Sequence, residues 1–130
     1  WLGIEDLGLV ASMLDAQLDG AREQRETLLR ARPSVLDNHR VGRLLDVWGE
    51  TRDDMWLYDT QLDRWAAETL TPAQRREVER LRRQVAALRE TVEAILALSR
   101  KLKDQTIERL MAKSDLELGV DWLLGGREAP

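Results

Sequence analysis

Cysteine and phenylalanine are absent from the 130 residues, and histidine and tyrosine occur once each. Without cysteine there is no disulfide, no thiolate nucleophile and no cysteine-ligated metal. The single histidine, His39, has Asn38 and Arg40 as neighbours and reads as a surface or capping residue at a helix start. Helical metal sites combine inward carboxylates with a Glu-x-x-His pair, and neither that spacing nor His-x-x-x-His occurs. Nucleophilic catalysis needs a base within reach of the nucleophile. Ser12, Ser34, Ser99 and Ser114 instead fall in helical or capping contexts, with no Gly-x-Ser-x-Gly elbow and no Gly-rich phosphate loop. An enzyme is therefore not expected, nor is a metal, a cofactor or a small-molecule substrate.

Long apolar runs are missing too. None approaches the ~20 residues that span a bilayer, and the opening Trp1-Leu2-Gly3-Ile4-Glu5-Asp6 has no basic or apolar stretch of a secretory leader. The lack of cysteine is compatible with a cytoplasmic location, which is the expectation. Net charge is −4, and that places nucleic acid below protein as a partner.

What the chain does have is 43% hydrophobic and 34% charged residues, a mix that supports a core and suits amphipathic helices. Only Pro33 and Pro72 punctuate the interior; the third proline is Pro130. They divide the chain into three segments with apolar residues at alternating steps of three and four, one face of a helix. The first row is Leu7, Val10, Leu14, Leu18, Ala21, Arg25 and Leu28. Its helix, placed at 4–31, should stop before Pro33, which pushes its predecessor out of the helical region. The second row is Val41, Leu44, Trp48, Thr51, Met55, Tyr58, Leu62 and Trp65, in a helix at 37–69 capped by Ser34 or Asp37.

The third segment opens on Thr71-Pro72-Ala73-Gln74. This is a capping hydroxyl, proline at the first helical position and glutamine to answer the cap. The row continues through Val78, Leu81, Val85, Leu88, Val92, Ile95, Ser99, Leu102 and Thr106, giving a helix at 72–113. Ser114-Asp115-Leu116-Glu117 resembles another capping box, so a break is expected there, followed by a short helix at 115–124. The fold class is all-α: one domain over 1–130, an elongated antiparallel helical bundle built on a long α-hairpin, with a short C-terminal helix.

Interaction candidates follow from what the rows leave over. Trp56 lies off the row, and the last helix carries Leu116, Val120, Trp122, Leu123 and Leu124, more apolar side chains than one face of a short helix hides. That helix is expected to dock on its own bundle, on a second copy in a homodimer, or on a client. Arg75, Arg76, Arg80, Arg82 and Arg83 form a basic stretch that could hold phosphates. Without interleaved aromatics, it reads first as pairing with the acidic Glu50, Asp53, Asp54, Asp59 and Asp63 across the hairpin. The expected function is a non-enzymatic helical scaffold or adaptor that binds another protein.

The charged run Ala21-Arg22-Glu23-Gln24-Arg25-Glu26-Thr27-Leu28-Leu29-Arg30, together with the long helix over 89–110, resembles the flagellar export chaperones that hold hook–filament junction proteins before secretion. The resemblance implies a small cytoplasmic chaperone, monomeric or dimeric, whose terminal apolar helix binds the helical tail of a client.

Overall fold

Thr71 and Gln74 start the longest element. The Gln74 amide donates to Thr71 Oγ1 at 3.1 Å, and the Thr71 amide donates to Gln74 Oε1 at 2.9 Å, so two backbone donors are satisfied reciprocally. From there α4 runs Pro72–Asp121, 50 residues, without interruption. At ~1.5 Å per residue it is ~75 Å long. The structure is a computed structural model that describes residues 1–32, 38–121 and 123. The Ser34 and Asp37 caps expected above lie outside these.

Before α4 come a single 3₁₀ turn at Ile4–Asp6, then α1 (Leu7–Arg30), α2 (Asn38–Asp54) and α3 (Trp56–Ala66). Ala31, at φ −70° and ψ 140°, is already extended, so α1 stops two residues ahead of Pro33 as expected. The second segment differs from its sequence reading: one helix becomes two, parted at Met55. There the amide donates to the Arg52 carbonyl three residues back, at 3.3 Å, a 3₁₀ contact. Asp53 and Asp54 supply weak helix formers at this point. Met55 keeps φ −64° and ψ −22° and is fully buried, so the interruption is one residue long.

α1 and the α2–α3 pair both pack against α4. Asp63 pairs with Arg82 and Asp59 with Arg89, at 2.8 and 2.6 Å. As α3 runs backward its partners advance along α4, so the two are antiparallel. Leu2 meets Gln61 and Trp65, while Gln17 meets Tyr58, which sets α1 antiparallel to α3 as well. The result is an up–down–up bundle of helices with no strand among the described residues.

The apolar rows are the core. Leu14, Leu18, Val41, Leu62, Trp65, Leu81, Val85, Leu88, Val92 and Ile95 are almost wholly buried. Burial along α4 ends with Leu102 and the half-buried Gln105 and Thr106; every described side chain from Ile107 to Val120 is exposed. Two expectations are corrected here. The helix does not break at Ser114, because Ser-x-x-Glu is equally an interior i,i+3 pair, and Met111, Ala112, Lys113, Leu116 and Glu117 around it are good helix formers. The segment after it is thus no separate short helix, and Leu116 and Val120 do not dock on their own bundle; they project on α4 beyond it.

Candidate protein-interaction surfaces

The chain start is held by a buried amide. Gln61 faces the Leu2 backbone: Leu2 N–H donates to Gln61 Oε1 at 2.8 Å, and Gln61 Nε2 donates to the Leu2 carbonyl at 3.0 Å. The same carbonyl accepts from Trp65 Nε1 at 3.1 Å, the partner that a buried indole requires. With Leu2 pinned, Trp1 lies edge-on to Trp56, ring centroids 6.3 Å apart at 73°. The Arg64 guanidinium sits 4.9 Å from the Trp1 ring centre, within cation–π range. Both tryptophans remain more than half exposed, at 59% and 56%.

Beside this cluster a furrow runs between α1 and the α2–α3 pair. Its first hollow, about 400 Å³, is lined by Trp1, Leu2, Val10, Met13, Leu57 and Tyr58, with Gln17, Thr51, Asp54 and Gln61 as polar members. Tyr58 Oη donates to Gln17 Oε1 at 2.8 Å, bridging the floor, and burial pushes the Tyr58 phenol up, so it stays a neutral donor. A second hollow of about 440 Å³ follows along the same seam, lined by Gln24, Arg40, Arg43, Leu44, Val47 and Trp48. The two hollows lie along one seam, from Val10 to Gln24 on α1, about four helical turns or ~21 Å. The first hollow is lined mainly by apolar side chains, with Asp54 its one charged member; half of the second hollow's lining is polar, with Gln24, Arg40 and Arg43.

The basic stretch is divided by its partners. Arg80 bridges to Asp15 of α1 with two hydrogen bonds, at 3.1 and 2.9 Å, and holds Glu77 at 2.7 Å. The Glu77 and Asp15 carboxylates raise its already high pKa further. Hydrogen bonds from Arg80 and then Gln84 hold the Asp15 carboxyl below its ordinary value. Arg82 goes to Asp63. Among the described residues no ion pair holds Arg75, Arg76 or Arg83, which are exposed. Two arginines of the five thus fix helix register, one toward each neighbour, and no continuous five-residue phosphate surface remains. The acidic residues are likewise dispersed, with Asp59 and Asp63 paired to arginines of α4, Asp53 beside Arg52 and Asp54 in the furrow. Among the described residues no three such groups are placed to hold a metal ion, and His39 is an exposed residue of the first turn of α2.

Of the residues singled out from sequence, Trp56 packs edge-on against Trp1 beside the first hollow, while Leu116, Val120 and Leu123 are exposed past the end of the bundle. Trp122 and Leu124 lie outside the described residues. Sequence reasoning missed Trp1, Leu2, Met13, Leu57 and Gln61. The Trp1–Trp56 partnership had no periodic signal, because both lie off their helical rows. No described helix is long and apolar enough to cross a membrane. Compared with known protein families, curated proteins and solved structures, the chain matches none.

Proposed function

We propose that this chain is a non-enzymatic helical scaffold whose furrow between α1 and α2–α3 receives an amphipathic helix of a partner protein. The observation that carries this reading is the furrow itself. Its two hollows lie along about four turns of α1; the first is lined mainly by apolar side chains, and Trp1, with Trp56 packed edge-on against it, stands at its rim. Helix-in-groove recognition uses such a surface, with apolar anchors every three to four residues. Tryptophan and tyrosine are the side chains that dominate binding energy at interfaces. Asp54 at one end and Arg43 at the other favour an occupant with a basic and an acidic end, which fixes its direction. The export-chaperone resemblance names the same kind of occupant, the helical tail of a client, and a cytoplasmic setting goes with it. Nucleic acid ranks lower, since Arg80 and Arg82 are engaged in helix register.

A photo-reactive residue at Leu57 tests this. It should cross-link one partner in cells, and Met13→Asp should abolish the adduct while helicity is unchanged. Equal cross-linking from the exposed Ala97 on α4, or indifference to Met13→Asp, would refute the furrow as the site.

A further inference from the structure

The furrow carries charges that this chain leaves without partners. Arg43 lines the second hollow and Asp54 the first, and both are exposed. Glu50, also exposed, lies one turn before Asp54 on the same side of α2 and adds a second carboxylate at that end. Among the described residues no ion pair or side-chain hydrogen bond holds any of the three. Arg43 and Asp54 do not reach each other. They are eleven residues apart on α2, ~16 Å along its axis, and an ion pair needs its atoms within ~4 Å.

The same spacing sets the two on one face, since eleven residues make three turns and ~20°. The apolar side chains beside them stand half in water. Val47 is 52% and Leu57 43% exposed on this wall, and Met13 is 54% exposed across the furrow. A helix seated on these three also takes water away from Arg43 and Asp54. Were it apolar throughout, both charges would lose hydration and gain nothing in return, which is costly. The occupant therefore supplies a countercharge to each.

α2 dictates how far apart those countercharges stand. A helix packed alongside it at the shallow ~20° crossing of a bundle has nearly the same rise along the shared axis. Residues that face Arg43 and Asp54 are then eleven apart in the occupant too. We infer that the occupant is a helix of another protein with one acidic and one basic residue eleven positions apart, at the border of its apolar face. The acidic residue meets Arg43 and the basic residue meets Asp54. This rests on the furrow reading and names the chemistry of the partner. The projecting end of α4 from a second copy does not qualify, because from Ile107 to Leu123 no acidic residue stands eleven positions from a basic one.

A phage-displayed library of helical peptides about five turns long, apolar on one face and randomised along both borders, is panned against the whole chain. Enriched peptides should carry Asp or Glu and Lys or Arg eleven positions apart. Arg43→Glu with Asp54→Arg should melt like the parent and weaken such a peptide about tenfold at low salt. Exchanging the peptide's two charges should restore its binding to that variant. Enriched peptides without the charge pair, or with affinity indifferent to the exchange, would overturn the inference; where Met13→Asp still abolishes their binding, the furrow reading survives it. No enrichment, or enrichment indifferent to Met13→Asp, would overturn both. A parent that sediments at twice 15.0 kDa, and as a monomer with Met13→Asp, would put a second copy in the furrow and overturn the inference as well.

Discussion

Replacing Gln61 by alanine isolates the clamp on the chain start. The side chain is buried and gives one acceptor and one donor to the Leu2 backbone, at 2.8 and 3.0 Å. Two neutral hydrogen bonds contribute ~1 kcal/mol each in net terms, and alanine returns a few tenths through its helix preference. The expected loss is about 2 kcal/mol, which at this chain length lowers the melting midpoint by about 7 °C. Gln61→Glu refines the argument. Its ionised carboxylate still accepts from Leu2 N–H but cannot donate to the Leu2 carbonyl, and it faces that oxygen unfavourably. The protonated acid donates again. The folded pKa of the new carboxyl is therefore raised, so its stabilising form is fully present below the ordinary glutamate value of ~4.3 and is lost as pH rises through the folded pKa. Circular dichroism melts at pH 4 and pH 7 measure this: the gap to the parent should widen toward neutrality. Melts of both variants within ~1 °C of the parent at either pH would refute the clamp.

Leu88, fully buried on the α4 row, should not tolerate Leu88→Asp; an unpaired charge there costs roughly 4 kcal/mol or more, and Val85→Asp and Leu81→Asp should behave alike in thermal melts. Ser99 is 0% exposed, and its hydroxyl has no hydrogen-bond partner among the described residues. Ser99→Ala should therefore stabilise by ~1 kcal/mol, and a lowered midpoint would contradict this. The Asp15 carboxyl is held below its ordinary value, so its contribution is present above the ordinary carboxylate range and is lost as pH falls through the folded pKa. Asp15→Asn should lower the midpoint at neutral pH, with the gap closing as the solution is acidified below pH ~3. Arg80 and Asp15 are each more than a third exposed, so that gap should stay below ~1 kcal/mol.

The bundle was legible because its rows are pure. Every member of the α4 row from Val78 to Leu102 is buried, polar Ser99 included, and the spacing alone identified that face. The Thr71–Gln74 cap was equally legible, since four consecutive residues contain all of its chemistry. Features that depend on the fold were not. The interruption at Met55 keeps helical backbone angles and leaves the row in phase, so no periodic signal marks it. The Ser114 reading failed for the converse reason. A local pattern that also suits a helix interior outweighed the continuity of α4, and only the backbone distinguishes the two.

The two apolar surfaces differ in the same way. The projecting end of α4 follows from helix lengths. A helix of 24 residues and a broken pair of 17 and 11 cannot flank 50 residues throughout, whatever their packing. The sequence carries that mismatch openly, with no glycine or proline between Pro72 and Gly119. The furrow follows from how α1 and α2–α3 sit on α4, and no single segment encodes that. Met13 and Leu57 are each one apolar residue off its row, unremarkable in isolation. They become a surface only because Gln61, itself off the row of Tyr58, Leu62 and Trp65, turns to the Leu2 backbone and brings Trp1 beside Trp56. A polar side chain buried among apolar neighbours is therefore the clue to follow, because its hydrogen-bond partners reveal which distant segment it was placed to hold.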